Sequence, residues 1–102
     1  MSYYANPDER ARLINGLHDL AEFLDQNPQV PSPRYASLHV FPATGSDAEM
    51  FAEIDAIAEQ IETTTGTSPA GHYSAVRDFG PVQYRAVAIP NIARNSEDGE
   101  AK

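Results

Sequence analysis

The sequence contains no cysteine, which excludes disulfide bonds, thiolate zinc sites and cysteine nucleophiles. Basic residues are also scarce, with seven Lys and Arg against fifteen Asp and Glu and a formal net charge of −8 at pH 7. Binding to phosphate backbones or to anionic membrane surfaces normally needs a cluster of basic side chains. We therefore expect neither nucleic acid nor a membrane to be a direct ligand.

Long apolar segments are absent as well. The longest purely aliphatic run is Ala86–Ile89, and the first residues have neither the basic nor the apolar region of a secretory signal. We therefore expect a cytoplasmic protein.

A chain of 102 residues has material for one hydrophobic core. We predict a flexible N-terminus over residues 1–5, a single domain over 6–90 and a disordered polar tail over 91–102.

The first part of the domain has the pattern of an amphipathic helix that packs on one side. Asn6 can cap this helix, Pro7 suits its first position, and the helix should run to about Gln26. Its apolar stripe consists of Leu13, Leu17, Leu20 and Leu24, with Ile14 and Ala21 on the flank. The prolines that follow predict an extended connector.

A second helix is predicted from Ser46 onward. The run from Ser46 to Glu49 has the form of a capping box, in which each side chain accepts a backbone N–H of the other residue. The apolar residues that share one arc of this helix are Met50, Phe51, Ile54, Ile57, Ala58 and Ile61. The hydroxyl-rich segment Thr63–Gly71 that follows is typical of a loop.

Three segments with alternating side chains predict strands at Tyr35–Phe41, His72–Asp78 and Val82–Ile89. The last two form a β-hairpin around Phe79–Pro81, whose turn closes at Asp78 to Pro81 or at Phe79 to Val82. The expected fold is a two-layer α+β sandwich of order α-β-α-β-β. We expect a three-stranded sheet with both helices on one face.

The strongest functional signal is an imbalance of charge in the middle of the chain. No Lys or Arg occurs between Arg34 and Arg77, whereas the predicted second helix alone contains six acidic residues. Carboxylates four residues apart repel each other on a helix, so helix stability alone does not explain this face. The hypothesis is a surface that binds a basic partner protein through Glu49, Glu53, Asp55, Glu59 and Glu62.

An alternative hypothesis places a small ligand on the sheet. Arginine and tyrosine are enriched at binding hot spots, and the candidates are Arg34, Tyr35, Tyr73, Arg77, Tyr84 and Arg85. A third hypothesis is a homodimer that pairs through a sheet face or edge.

Other chemistry is not indicated by the motifs. His18 and Glu22 have a metal-ligand spacing, but they lie opposite the apolar stripe, where solvated side chains are expected. The glycines of Gly66–Gly71 lack the Lys-Ser/Thr that completes a phosphate loop, and no Gly-x-Ser-x-Gly elbow is present. We predict no catalytic residues, no metal and no cofactor.

The hairpin from Gly71 to Pro90, together with Pro33-Arg34-Tyr35 and the helix that begins at Ser46, resembles small uncharacterised proteins of actinobacteria and of their phages and plasmids. The resemblance covers about residues 8 to 90 and fits the use of arginine rather than lysine. It implies an accessory protein of a mobile element and no particular chemistry. The leading hypothesis, which rests on the acidic second helix and not on this resemblance, is a non-enzymatic interaction module.

Overall fold

A computed structural model describes residues 4–42 and 45–90. The chain forms, in order, α1 (Pro7–Gln26), β1 (Ala36–Val40), α2 (Asp47–Gln60), β2 (Thr65–Thr67), β3 (Tyr73–Phe79) and β4 (Val82–Ala88). The predicted α+β class is confirmed. The predicted tail over 91–102 and the first three residues of the predicted flexible N-terminus lie outside the described residues.

Both helices begin at the predicted caps. Asn6 accepts a hydrogen bond from the Glu9 N–H at 2.8 Å, and the Asn6 N–H donates to the Glu9 carboxylate at 2.9 Å. Ser46 and Glu49 form the same reciprocal pair at 3.1 and 3.2 Å. Each capping box satisfies two backbone donors that the first turn would otherwise leave unpaired.

The end of α2 has the hydrogen bonds of a Schellman motif. The Thr63 N–H donates to the Ala58 carbonyl at 2.9 Å, and the Glu62 N–H donates to the Glu59 carbonyl at 3.2 Å. Glu62 has a φ of 56°, in the left-handed region that glycine usually occupies at this position. Because this position holds glutamate rather than glycine, the end of the helix is only weakly marked in the sequence.

The sheet has four strands in the order β1-β4-β3-β2, so the prediction of three strands was wrong. The missed strand β2 lies within the segment that was predicted to be a loop, and it pairs antiparallel with β3. Its three residues have the Thr and Gly content of a loop, yet its backbone groups can complete the free edge of β3. Gly71, with a φ of 85°, lies in the reversal of the chain between the two strands.

The β3–β4 hairpin adopts the second of the two predicted registers, with Phe79 opposite Val82. Gly80 is the first central residue of the turn and has a φ of 64°, as in hairpin turns that place glycine there. β1 lies parallel to β4 at the other edge, with Val40 opposite Ala86. Ala86 of β4 is also opposite Ala75 of β3, so Val40, Ala75 and Ala86 lie on the same face of the sheet.

The core lies between α2 and the sheet. Its buried side chains are Met50, Ile54, Ile57 and Ala58 from α2 and Ala75, Ala86 and Ala88 from β3 and β4. Small alanines on the strands allow α2 to approach closely, and Ile54 is fully buried against them.

The prediction that both helices cover one face of the sheet was wrong, because no residue of α1 is buried. Helical periodicity shows that a helix has an apolar face, but it does not show what that face contacts. The end of the sheet face beyond α2 also stays open, with Leu38, Phe79 and Val82 exposed.

Candidate interaction surfaces

The five predicted partner-binding carboxylates lie along the two sides of α2 and just beyond its end. At 100° per residue, Glu49 and Glu53 lie on one side, and Asp55 and Glu59 lie on the other. Exposed alanines separate the two rows at Ala48, Ala52 and Ala56. We call the arrangement of these four carboxylates, together with Glu62, the acidic face.

Glu49 belongs to the acidic face and also caps α2. The backbone N–H and the hydroxyl of Ser46 hydrogen-bond with Glu49 and lower the pKa of its carboxyl. The side chain is exposed, so its charge remains available to solvent.

Glu53 links the acidic face to the segment before α1. The Tyr4 hydroxyl donates a hydrogen bond to the Glu53 carboxylate. Partial burial raises the pKa of Tyr4, and the hydrogen bond and negative charge of Glu53 raise it further. Tyr4 therefore stays a neutral hydrogen-bond donor to the Glu53 side chain.

Asp55 is held by the sheet. The Tyr73 hydroxyl donates to Asp55 at 2.5 Å and also hydrogen-bonds to the Thr65 hydroxyl at 2.8 Å. The Tyr73 ring packs against Phe51, with 4.7 Å between the ring centroids. These contacts tie α2, β2 and β3 together around one tyrosine that sequence analysis assigned to a ligand site.

Glu62 is the one candidate carboxylate with a basic partner among residues 4–42 and 45–90. The Arg77 guanidinium lies 3.6 Å from the Glu62 carboxylate and 3.5 Å from the Ile61 carbonyl, and it lies over the Phe79 ring. Both members of the ion pair are exposed, and such pairs are worth about 0–1 kcal/mol. Within these residues, the chain's own arginines therefore neutralise the acidic face at one point only.

The structure does not gather the Arg/Tyr group of the alternative hypothesis into one site. Arg77 and Tyr84 are cross-strand partners on the face that α2 partly covers. Arg85 pairs with Val76 and so lies on the opposite face. Arg34 and Tyr35 are exposed in the connector before β1. The Tyr73 hydroxyl is already hydrogen-bonded to Asp55 of α2.

A further surface, which sequence analysis assigned to the core, is the apolar stripe of α1. Leu13 is 51% exposed, Ile14 43%, Leu17 39%, Leu20 54% and Phe23 50%. Leu24, at the end of the stripe, is half-buried. The leucine periodicity predicts this stripe, but it does not identify the surface that the stripe contacts.

Among the described residues, no group of three His, Asp or Glu side chains is arranged to hold a metal ion. Neither α1 nor α2 combines the length and the apolar character that a bilayer-spanning helix requires. No family model matches this chain, and neither the curated proteins nor the solved structures include a significant match.

Proposed function

We propose that this protein is a small non-enzymatic interaction module that binds a basic surface of another protein through its acidic face. One observation supports this proposal: in the described part of the chain, only one carboxylate of the acidic face, that of Glu62, forms an ion pair with an arginine. The other four carboxylates have no basic partner there; they belong to Glu49, Glu53, Asp55 and Glu59. Carboxylates that lack a cationic partner and are concentrated on one helix attract a basic partner protein and accelerate its association.

The spacing of the carboxylates favours a partner with several cations. Glu49 and Glu53 are four residues apart, as are Asp55 and Glu59, so each row contains a mildly repulsive pair. Arginine or lysine side chains of a partner would relieve this repulsion. The exposed alanines between the rows leave room for a partner backbone to approach.

Two tyrosines keep part of the acidic face in place. The Tyr4 hydroxyl donates a hydrogen bond to Glu53, and the Tyr73 hydroxyl donates one to Asp55. Side chains that are already ordered lose less conformational entropy when a partner binds. The module therefore offers partly preorganised charges.

The double substitution Glu53→Gln with Glu59→Gln tests the proposal, because it removes one charge from each row while the new amide oxygen at position 53 can still accept from Tyr4. We expect weaker binding of a short arginine-rich peptide, measured by fluorescence anisotropy at low and high salt. The matched control is Glu22→Gln with Asp78→Asn, which gives the same net charge but leaves α2 intact. Equal affinity of the two variants would show that net charge alone attracts the peptide.

We also infer a biological setting from the resemblance to proteins of actinobacterial phages and plasmids. An acidic accessory protein of this kind would act in the cytoplasm on a basic partner, such as a protein that otherwise binds nucleic acid. Such a partner already carries a cationic surface that matches the acidic face.

A further inference from the structure

The apolar stripe of α1 has no partner within the described part of the chain. α1 is 20 residues long with a complete capping box, yet none of its residues is buried. Helices in proteins gain most of their stability by packing an apolar face against another surface rather than from intrinsic helix propensity. We therefore expect the stripe to pack against another molecule, which we call its occupant.

The order of residues in α1 is nearly symmetric about the point between His18 and Asp19. Leu17 mirrors Leu20, Leu13 mirrors Leu24, and Ile14 mirrors the apolar Phe23. The leucine spacing of four, three and four residues matches the seam of paired helices. A two-fold interface must be complementary to itself, and this symmetry meets that condition.

We propose that the occupant is a second copy of this chain and that two α1 helices pair antiparallel through their apolar stripes. Leu17 of each copy lies at the level of Leu20 of the other, and Leu13 lies at the level of Leu24. Gly16 and Ala21 flank the seam with small side chains, which lets the two helices approach closely. The antiparallel arrangement also sets the two helix dipoles against each other favourably.

The charges of α1 select this orientation. The first half of α1 contains Arg10 and Arg12 together with Asp8 and Glu9 of the first turn and is neutral overall, whereas the second half contains Asp19, Glu22 and Asp25 and has no basic residue in its last turn. An antiparallel pair brings the arginines of each copy close to the acidic half of the other. A parallel pair would place like charges side by side.

This pairing is independent of the proposed binding by α2, because the two surfaces belong to different helices. The dimer would carry two acidic faces. A partner with two basic sites would then bind more tightly than a single module allows, through effective concentration.

Sedimentation velocity of the full chain over a wide range of concentration tests the pairing. We expect a reversible monomer–dimer equilibrium. The double substitution Leu17→Gln with Leu20→Gln should raise the dissociation constant by more than about a hundredfold, because it removes the centre of the interface. Asn15→Gln with His18→Gln, on the polar side of α1, is the matched control and should leave the equilibrium unchanged.

The orientation is tested by spin labels, since the sequence has no other cysteine. Ala11→Cys and His18→Cys are made separately on the polar side of α1. In an antiparallel pair the two Ala11 positions are about 22 Å apart along the axis and the two His18 positions about 2 Å, at about 1.5 Å per residue. Pulsed electron spin resonance should therefore give a longer distance for the Ala11 pair. A monomer at all concentrations, a dimer that survives Leu17→Gln with Leu20→Gln, or equal distances for the two label pairs would overturn the proposal.

Discussion

At the scale of single residues, the two ends of α2 combine structural roles with negative charge. Glu62 adopts a left-handed backbone conformation, with a φ of 56°, to close the Schellman motif. This conformation costs a residue with a Cβ atom roughly 1–2 kcal/mol. The charge at this position is therefore kept at a cost in local stability.

Replacing Glu62 by glycine should stabilise the protein by about 0.5 kcal/mol, because the relief of backbone strain exceeds the extra entropy of glycine in the unfolded chain. The lost ion pair with Arg77 is exposed and changes this value little. Urea denaturation monitored by circular dichroism measures the effect. Glu59→Gly is the control, and it should destabilise the protein by about 1 kcal/mol because Glu59 lies within the last turn of α2. Destabilisation by both substitutions would contradict the assigned backbone role of Glu62.

Glu49 at the other end of α2 makes the stability of the helix depend on pH. Its hydrogen bonds with Ser46 lower the pKa of the carboxyl below the ordinary value of 4.5. The unfolded chain therefore takes up a proton before the folded chain does, so the stabilisation is complete above pH 4.5 and is lost as the pH falls through the lower folded pKa.

Glu49→Gln should flatten this part of the pH profile, since glutamine also completes a capping box but does not titrate. The measurement is the urea midpoint of the variant and the native chain at several pH values below neutrality. We expect the two curves to converge as the pH falls below about 4.5. Curves that stay parallel would show that the Glu49 carboxylate contributes no acid-dependent stability.

At the scale of secondary structure elements, the stability of the domain depends on α2. Ile54 of this helix is fully buried in the core. Ile54→Ala should cost about 3 kcal/mol, through lost burial and the cavity that remains. Leu20→Ala in α1 should cost less than about 1 kcal/mol in dilute solution, because Leu20 is 54% exposed. Urea denaturation of both variants checks the contrast, and equal losses would place α1 in the core.

The sequence predicted the elements better than it predicted their partners. Both helix starts follow from capping boxes that depend on residues three positions apart, and the β3–β4 hairpin follows from alternation around Gly80. β2 was missed because Thr65–Thr67 becomes a strand by pairing with β3, a contact that its own composition does not reveal. The expected packing of α1 on the sheet was wrong because helical periodicity predicts an apolar face but not the surface that this face contacts.

At the scale of the whole molecule, the two helices present different surfaces. The apolar side of α2 packs against the sheet, and its carboxylates face solvent. In α1, both the apolar stripe and the polar side are exposed to solvent. The charge of the acidic face was predictable because charge is a property of composition. The roles of Tyr4 and Tyr73 in holding Glu53 and Asp55 were not predictable, since they depend on contacts across 49 and 18 residues of chain.

The central claim is that α1 lies outside the core of its own chain and gains its stability from association. Amide hydrogen exchange followed by mass spectrometry, at low and high protein concentration, tests this claim most directly. We predict that protection of the α1 amides rises with protein concentration, whereas protection of α2, β3 and β4 stays constant. Protection of α1 that equals that of α2 and does not change with concentration would contradict the claim, because α1 would then be part of the monomer's own core.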